Sequence, residues 1–439
     1  MKKVIQICII LIAALVLARQ AATAQGLVPA DGIVTSYAKT TLPSWLRLGG
    51  EERVRLEDLS GVGFKPAGNT YLLQRLRLNL DLKPLSWLQF SFQAQDSRVF
   101  FTNVSPAPAS QKDPMDLRLG YVQVGNVEAD PLSLRAGRQN LTFGEGRLLA
   151  DPNWSNVGRT FDGLHATFRY HKIRLDAFSG ASDKVYTDGF DTPTPGEHFH
   201  GLYGSVDKVI PNVTIEPYLF WKLQHNVKGE VIKAGNLDEK IVGLRWVGKL
   251  PLGLDYGLEM ALQRGWQANE PISAWAGHWM VGHTLADARH RPRLFAELNR
   301  ASGDQNPRDG VHGTFDALFP SSHDKFGVAD QFCWSNIMYA RSGFQYRIRQ
   351  NLTATAAYNS LWLANRRDGI YSGGKVIIAS NGSQGNHIGQ EADLQAQWNP
   401  SRNTLVDAAY GHIFQGEFLR KAGRDSAYNS LFLGVTQRF

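Results

Sequence analysis

Tyr71-Leu72-Leu73-Gln74-Arg75-Leu76-Arg77-Leu78-Asn79-Leu80-Asp81-Leu82-Lys83 puts leucine on almost every even position, and from Arg75 onward the odd positions carry Arg, Arg, Asn, Asp and Lys. Successive side chains of a strand point to opposite faces, so this segment is a strand with one aliphatic face and one charged face. In a soluble sandwich the leucines would turn inward. In an outer-membrane barrel they meet lipid, and the charges line a wet interior. The remainder of the chain favours the membrane.

Lys2 and Lys3, an apolar run from Val4 to Ala18 and the small residues Ala22-Thr23-Ala24 read as an export signal over 1–24, with a mature start at Gln25. No later segment offers the ~20 consecutive apolar residues of a membrane helix. A membrane protein without such helices must close a barrel, because only closure satisfies every backbone group in lipid. Cys8 falls in the signal, which leaves Cys333 alone and excludes an intramolecular disulfide. The formal charge of +7 becomes +4 without Lys2, Lys3 and Arg19, which gives no ground for a nucleic-acid partner. The bases are rich in arginine, the residue suited to bidentate recognition of carboxylate or phosphate.

The two-faced pattern recurs in Leu88, Phe90, Phe92 and Ala94, in Leu164, Ala166, Phe168 and Tyr170, and in Leu252 to Leu262. Tight turns are predicted at Pro84-Leu85-Ser86, Lys249-Leu250-Pro251, Arg349-Gln350-Asn351 and Asn399-Pro400-Ser401. Between the hairpins lie longer polar segments near 101–114, 144–161, 181–198, 226–238, 302–336, 366–384 and 416–427. Short turns alternating with long loops predict an all-β transmembrane antiparallel barrel of about 18 strands, with periplasmic turns and extracellular loops. A short periplasmic segment over 25–45 would precede a barrel over 46–439. Trp45, Trp87, Trp246, Trp362 and Trp398 fall near predicted strand ends, as girdle residues do. The terminal strand Leu431 to Phe439 ends in an aromatic residue, like the assembly signal of outer-membrane barrels.

Several islands together resemble the alginate export family. They are Gly137-Arg138-Gln139-Asn140-Leu141 with Phe143 to Leu148, Asn156 to Leu164, Ala301 to Asp304, Thr314 to Pro320 with His323, Gly389 to Leu394, and Tyr410-Gly411-His412 with Gly416 to Leu419. The resemblance implies an 18-stranded barrel whose narrow, electropositive lumen lets an anionic polysaccharide leave the periplasm. It does not fix alginate as the cargo. Besides outer-membrane lipid, it leaves room for a periplasmic export partner, and it implies no cofactor.

An acidic polymer needs cations along its path that are individually weak enough to release it. By parity Arg75 and Arg77 face the lumen opposite the leucines, and Arg53 and Arg55 do so opposite Val54 and Leu56. Arg169 shares a face with His165 and Thr167. Arg138, Arg147 and Arg159 come from the family-like islands around the third long loop, which could fold inward as a constriction. Glu391 and Asp393 are expected on the same inner wall, where they could pair with arginines. Arg135 and Arg138 fall on opposite faces of one strand, which calls for a bulge near Gly137 or a rim position. Gly303 to Gly310 lacks the spacing of a calcium loop, and His198 and His200 lack a third ligand, so no metal site is assigned. The alternatives are an anion-selective porin for small solutes and, further off, an outer-membrane enzyme, for which no catalytic motif surrounds any Ser or His.

Overall fold

The computed structural model describes residues 42–207, 209–285 and 288–439. The export signal over 1–24 and the segment over 25–41 lie outside the described residues. From Leu46 onward the chain is a succession of antiparallel strands: β1 (Leu46–Ser60), β2 (Gly68–Leu85), β3 (Leu88–Phe100), β4 (Asp113–Val124), β5 (Leu132–Gln139) and β6 (Phe161–Tyr170). Next come β7 (Ile173–Lys184), β8 (Glu197–Asp207), β9 (Val213–Val227), β10 (Gly235–Lys249), β11 (Leu254–Gln267) and β12 (Glu270–Thr284). The last six are β13 (Arg293–Ala301), β14 (Ile337–Arg349), β15 (Leu352–Leu363), β16 (His387–Ser401), β17 (Thr404–Gln415) and β18 (Tyr428–Arg438). Each strand pairs with its sequence neighbours, and β1 also pairs with β18 through Val54↔Val435. The sheet thus closes into an 18-stranded barrel without an edge, which is what lipid requires of strands.

One rim carries short turns, such as 86–87, 171–172, 350–351 and 402–403, and the other carries long loops, among them 101–112, 140–160, 302–336 and 364–386. The turn expected at Asn399-Pro400-Ser401 lies instead at 402–403, because the register shifts between Trp398 and Ser401 and Pro400 stays in the strand. A proline has no N–H to give a ladder, and such an irregularity accommodates it. Two loops have structure of their own: a small hairpin (Ile370–Ser372 with Lys375–Ile378) and a short helix (Glu417–Lys421).

The leucine face of β2 is the outer one. Leu78, Leu164 and Leu394 are exposed around the wall, as lipid-facing residues must be. Trp45, Trp87 and Trp398 are exposed near the turn rim, where amphipathic rings favour the headgroup level. Trp246 is half-buried, and its indole Nε1 donates to Tyr256 Oη at 3.2 Å.

The interior is not an empty tube. Loops 140–160 and 302–336 fold into it and meet in a parallel bridge between Leu149 and Phe319. Leu141, Leu148, Leu149, Phe315, Phe319 and Trp334 of these loops join one apolar cluster with Phe178, Phe199, Phe220, Ile241, Leu361 and Ile413 of the wall. Burying that much apolar surface gives an otherwise polar loop a reason to leave water.

Candidate functional site: the interior of the barrel

Arg53, Arg55, Arg75 and Arg77 all point inward, as the leucine parity requires, and all are buried. They converge on the stretch 153–157 of the inward loop. Arg53 Nη1 donates to the Asn153 carbonyl at 2.6 Å and Nη2 to the Ser155 carbonyl at 2.9 Å. Arg55 Nη1 donates to the Trp154 carbonyl at 2.8 Å. Arg75 reaches the carbonyls of Asn153 and Ser155, both at 3.1 Å, and pairs with Glu51. Arg77 donates to the Val157 carbonyl at 3.2 Å and to Gln95 Oε1 at 2.7 Å. These are the carbonyls a loop brought out of water must satisfy, and charged donors do so strongly. The Trp154 ring lies between the Arg55 guanidinium, 3.6 Å from its centroid, and the His323 ring, stacked at 3.6 Å. That sandwich ties the wall to both inward loops.

The same loop is pinned at Asp151, which pairs with Arg118 and accepts the Arg159 N–H at 3.0 Å. Burial alone would raise the Asp151 carboxyl, but the Arg118 and Arg77 guanidiniums beside it hold it below the usual carboxylate range. Gly158 (φ +91°) allows the close approach: a Cβ there would sit 2.8 Å from Asp151 Oδ1 and 3.1 Å from both guanidiniums.

Arg147 and Arg159 also lie inside the barrel. Arg147 donates to Asn299 Oδ1 at 3.1 Å and lies 3.7 Å from Glu297. Arg159 Nη1 donates to the carbonyls of Ala150 and Pro320, each at 3.1 Å, so it joins the two inward loops. Neither Glu391 nor Asp393 forms an ion pair with an arginine: Glu391 Oε1 holds loop 302–336 by accepting the Ala329 N–H at 2.9 Å, and Asp393 accepts from Asn359 Nδ2 of the neighbouring wall strand at 2.7 Å. Arg169 sits apart at the turn rim, paired with Glu128 at 3.0 Å.

Arg138 is the residue the structure separates from the others. The β4–β5 and β5–β6 ladders run without a register shift, so no bulge occurs at Gly137, and the rim position is the one realised. Arg138 forks onto Asp162 at 2.9 and 3.0 Å on the outer face near the loops, while Arg135 stays inside against Gln123 and the Tyr121 ring. Near Arg138, Asp113, Asp116 and Asp191 each offer an oxygen within 4.8 Å of the others, the one grouping with metal-ligand spacing among the described residues. The Arg138 guanidinium, 4.0 Å from Asp116, already occupies one side of it. In the loop that faintly resembles a calcium site, Asp304 instead accepts the backbone N–H groups of Asn306 and Gly313.

Open space lies on both sides of the inward loops: about 410 Å³ on the loop side, lined by Glu57, Tyr71, Gln111, Ser322 and Asp330 among others, and two cavities toward the turns. A cavity of about 280 Å³ is lined by Arg147, Arg293, Arg341 and Lys325 together with Glu145, Glu297 and Asp324, facing Gln345, Gln395 and Gln397. A second, of about 220 Å³, is lined by Arg53, Arg55 and Arg438 with Trp154 and His323. Arg341 is engaged by Asp324 and Arg293 by Asp255, but Lys325 makes no ion pair among the described residues. Arg293, Arg341 and Lys325 do not figure among the site residues expected from sequence. Arg341 and Gln345 share the inward face of β14, a signal parity could have supplied. Lys325, on a loop without periodicity, gave none.

A closed antiparallel barrel with inward loops and charged cavities is the architecture of an outer-membrane channel. The chain belongs to the alginate export family, whose sequence pattern it matches over residues 44–432, and its place is the outer membrane. Among curated proteins no sequence relative is found. The fold is similar to three barrels from Pseudomonas aeruginosa. OpdQ has 13% identity and a TM-score of 0.60 over 91% of this chain and 99% of its own. OccK8 (OprE) has 13% identity and 0.60 over 90% and 98%. The outer membrane protein OprD has 13% identity and 0.59 over 90% and 93%.

Proposed function

We propose that this channel conducts an acidic saccharide, an alginate-like polyuronate, outward along a basic path in the turn half of the barrel. The observation that carries the reading is the 280 Å³ cavity whose lining holds four cations, Arg147, Arg293, Lys325 and Arg341, against three carboxylates, Glu145, Glu297 and Asp324, with Lys325 in no direct ion pair among the described residues. A uronate carboxylate would pair with Lys325 directly, which no carboxylate of the lining does, and the facing glutamine amides match sugar hydroxyls. Most neighbouring guanidiniums are already engaged, so each adds attraction without a deep well, as conduction requires. Arg53, Arg55 and Arg147 contribute their exposed edges to the cavities, while Arg75, Arg77 and Arg159 hold the loops that narrow the path.

Lys325→Glu is expected to weaken block of single channels by an oligouronate about tenfold or more, in line with steering by a focused field, with little change in conductance of small neutral sugars. The filled loop half favours a second reading, a porin for small anions. Free passage of small anions with no block by any acidic oligosaccharide would select it.

A further inference from the structure

The cavities open toward a stretch of the turn rim on which, among the described residues, arginines are gathered. Arg289, Arg291 and Arg293 lie on and after the β12–β13 turn, Arg347 and Arg349 precede the next, and Arg438 ends β18 beside β1. These turns are laced to one another: the Arg347 N–H donates to the His290 carbonyl at 3.1 Å, the Asn399 N–H to the Asn351 carbonyl at 2.8 Å, and the Arg438 N–H to the Asn403 carbonyl at 2.8 Å. The arginines therefore stand on one continuous ledge. Arg289, Arg291, Arg347 and Arg349 are exposed and make no ion pair among the described residues.

Elsewhere on the rim Arg169 is spent on Glu128 at 3.0 Å and Arg174 on Asp176 at 2.6 Å, while Arg47 and Lys249 stand singly; on the ledge itself Arg438 is paired with Glu51 at 3.6 Å and Arg293 with Asp255. The ledge also points the right way. Arg347 continues the inward row of Arg341 and Gln345 and is registered against Thr353, which lines the larger cavity, while Arg438 lines the smaller one.

We propose that this ledge is the capture lip for an acidic saccharide chain, which enters from the turn side and is handed from Arg347, Arg349 and Arg438 to Arg293, Arg341 and Lys325. The inference rests on the function proposed above and adds a place and a direction of entry. Unpaired guanidiniums around a low-dielectric mouth raise the local concentration of an anion and its rate of arrival, and exposed ones do so in a salt-dependent way.

The test uses the full-length channel in planar bilayers, its orientation read from reaction of a Ser383→Cys loop residue with an impermeant thiol reagent. An oligouronate is added to one side at a time. Block from the turn side is expected to be faster than from the loop side. Arg347→Glu with Arg349→Glu should slow that capture at least tenfold, the corresponding Gln changes should slow it less, and loop-side block should be unmoved. Equal rates from both sides, or unaltered capture in the Glu variant, would overturn the lip. Tripolyphosphate serves as a second acidic probe: arginine-dependent capture of it from the turn side, with no block by the oligouronate, would keep the lip and remove the saccharide reading. An effect of the arginines on insertion into anionic-lipid bilayers, with none on block, would assign the ledge to lipid headgroups and overturn the proposal.

Discussion

The loop half and the turn half of the barrel interior are made by the same eighteen strands, yet they follow opposite rules. In the loop half the inward positions are Phe199, Phe220, Ile241, Leu361 and Ile413, all buried against the two inserted loops. In the turn half they are Arg293, Gln345, Thr353, Gln395 and Gln397, which line a wet cavity. The outer face is largely apolar in both halves, with polar exceptions such as Arg138 on Asp162 and Gln74 on Glu52, so strand alternation is clearest where the interior is wet. One half acts as the core of a globular protein and the other as a channel wall.

The largest expected effect tests the core half. Trp334 is fully buried in the inserted loop, and Trp334→Ala is expected to cost about 3–5 kcal/mol, read as a lower midpoint in the heat-modifiability assay. An equal loss from a turn-half residue such as Gln397→Ala would erase the distinction.

Next comes the outer face. Leu78→Arg is expected to cost about 2–4 kcal/mol if it lies near the midplane and to reduce the folded fraction while leaving ion selectivity unchanged. Altered selectivity with normal insertion would invert the inside and outside assignment.

A smaller effect is expected where the halves meet. Arg75→Gln leaves the carbonyls of Asn153 and Ser155 with a weaker partner, a loss of about 1–3 kcal/mol for unsatisfied buried groups. It should show as faster proteolysis near 153–157 and as noisier current, with the wall intact.

The smallest effect is a pH dependence of the same latch. The Asp151 carboxyl is held below its ordinary value in the folded protein, so its contribution is fully present above about pH 3.9, the value of a free aspartate, and fades as pH falls below that. Hydrogen exchange at 151–159 should therefore quicken in acid and lose this dependence in Asp151→Asn. Exchange that slows on acidification would contradict the sign.

The split also explains what the sequence allowed to be read. Leu76, Leu78 and Leu80 against Arg75 and Arg77 gave both face and sheet, because β2 separates lipid from a polar interior along much of its length. Parity likewise placed Glu391 and Asp393 inside. It was silent on Leu219, Phe220 and Trp221 of β9, where apolar residues sit on both faces because a loop covers the inner one. The available clue was the loop itself: Phe315, Phe319, Phe326, Phe332 and Trp334 are too apolar for a solvated extracellular segment. Arg138 escaped for a different reason. At a rim, position along the strand outweighs parity, since an outward arginine there meets Asp162 instead of lipid.

The bridge between Leu149 and Phe319 makes the width of the bore depend on two distant parts of the chain. Its two halves are far apart in the chain, and loop 140–160 draws its anchors from β1 and β2 while loop 302–336 draws its own from β14 to β16. Contacts of such long sequence separation form late, because chain closure has to come first. A wall whose two loops have not yet met would therefore enclose a wider bore than the finished channel, and the constriction depends on both distant parts of the chain being in place.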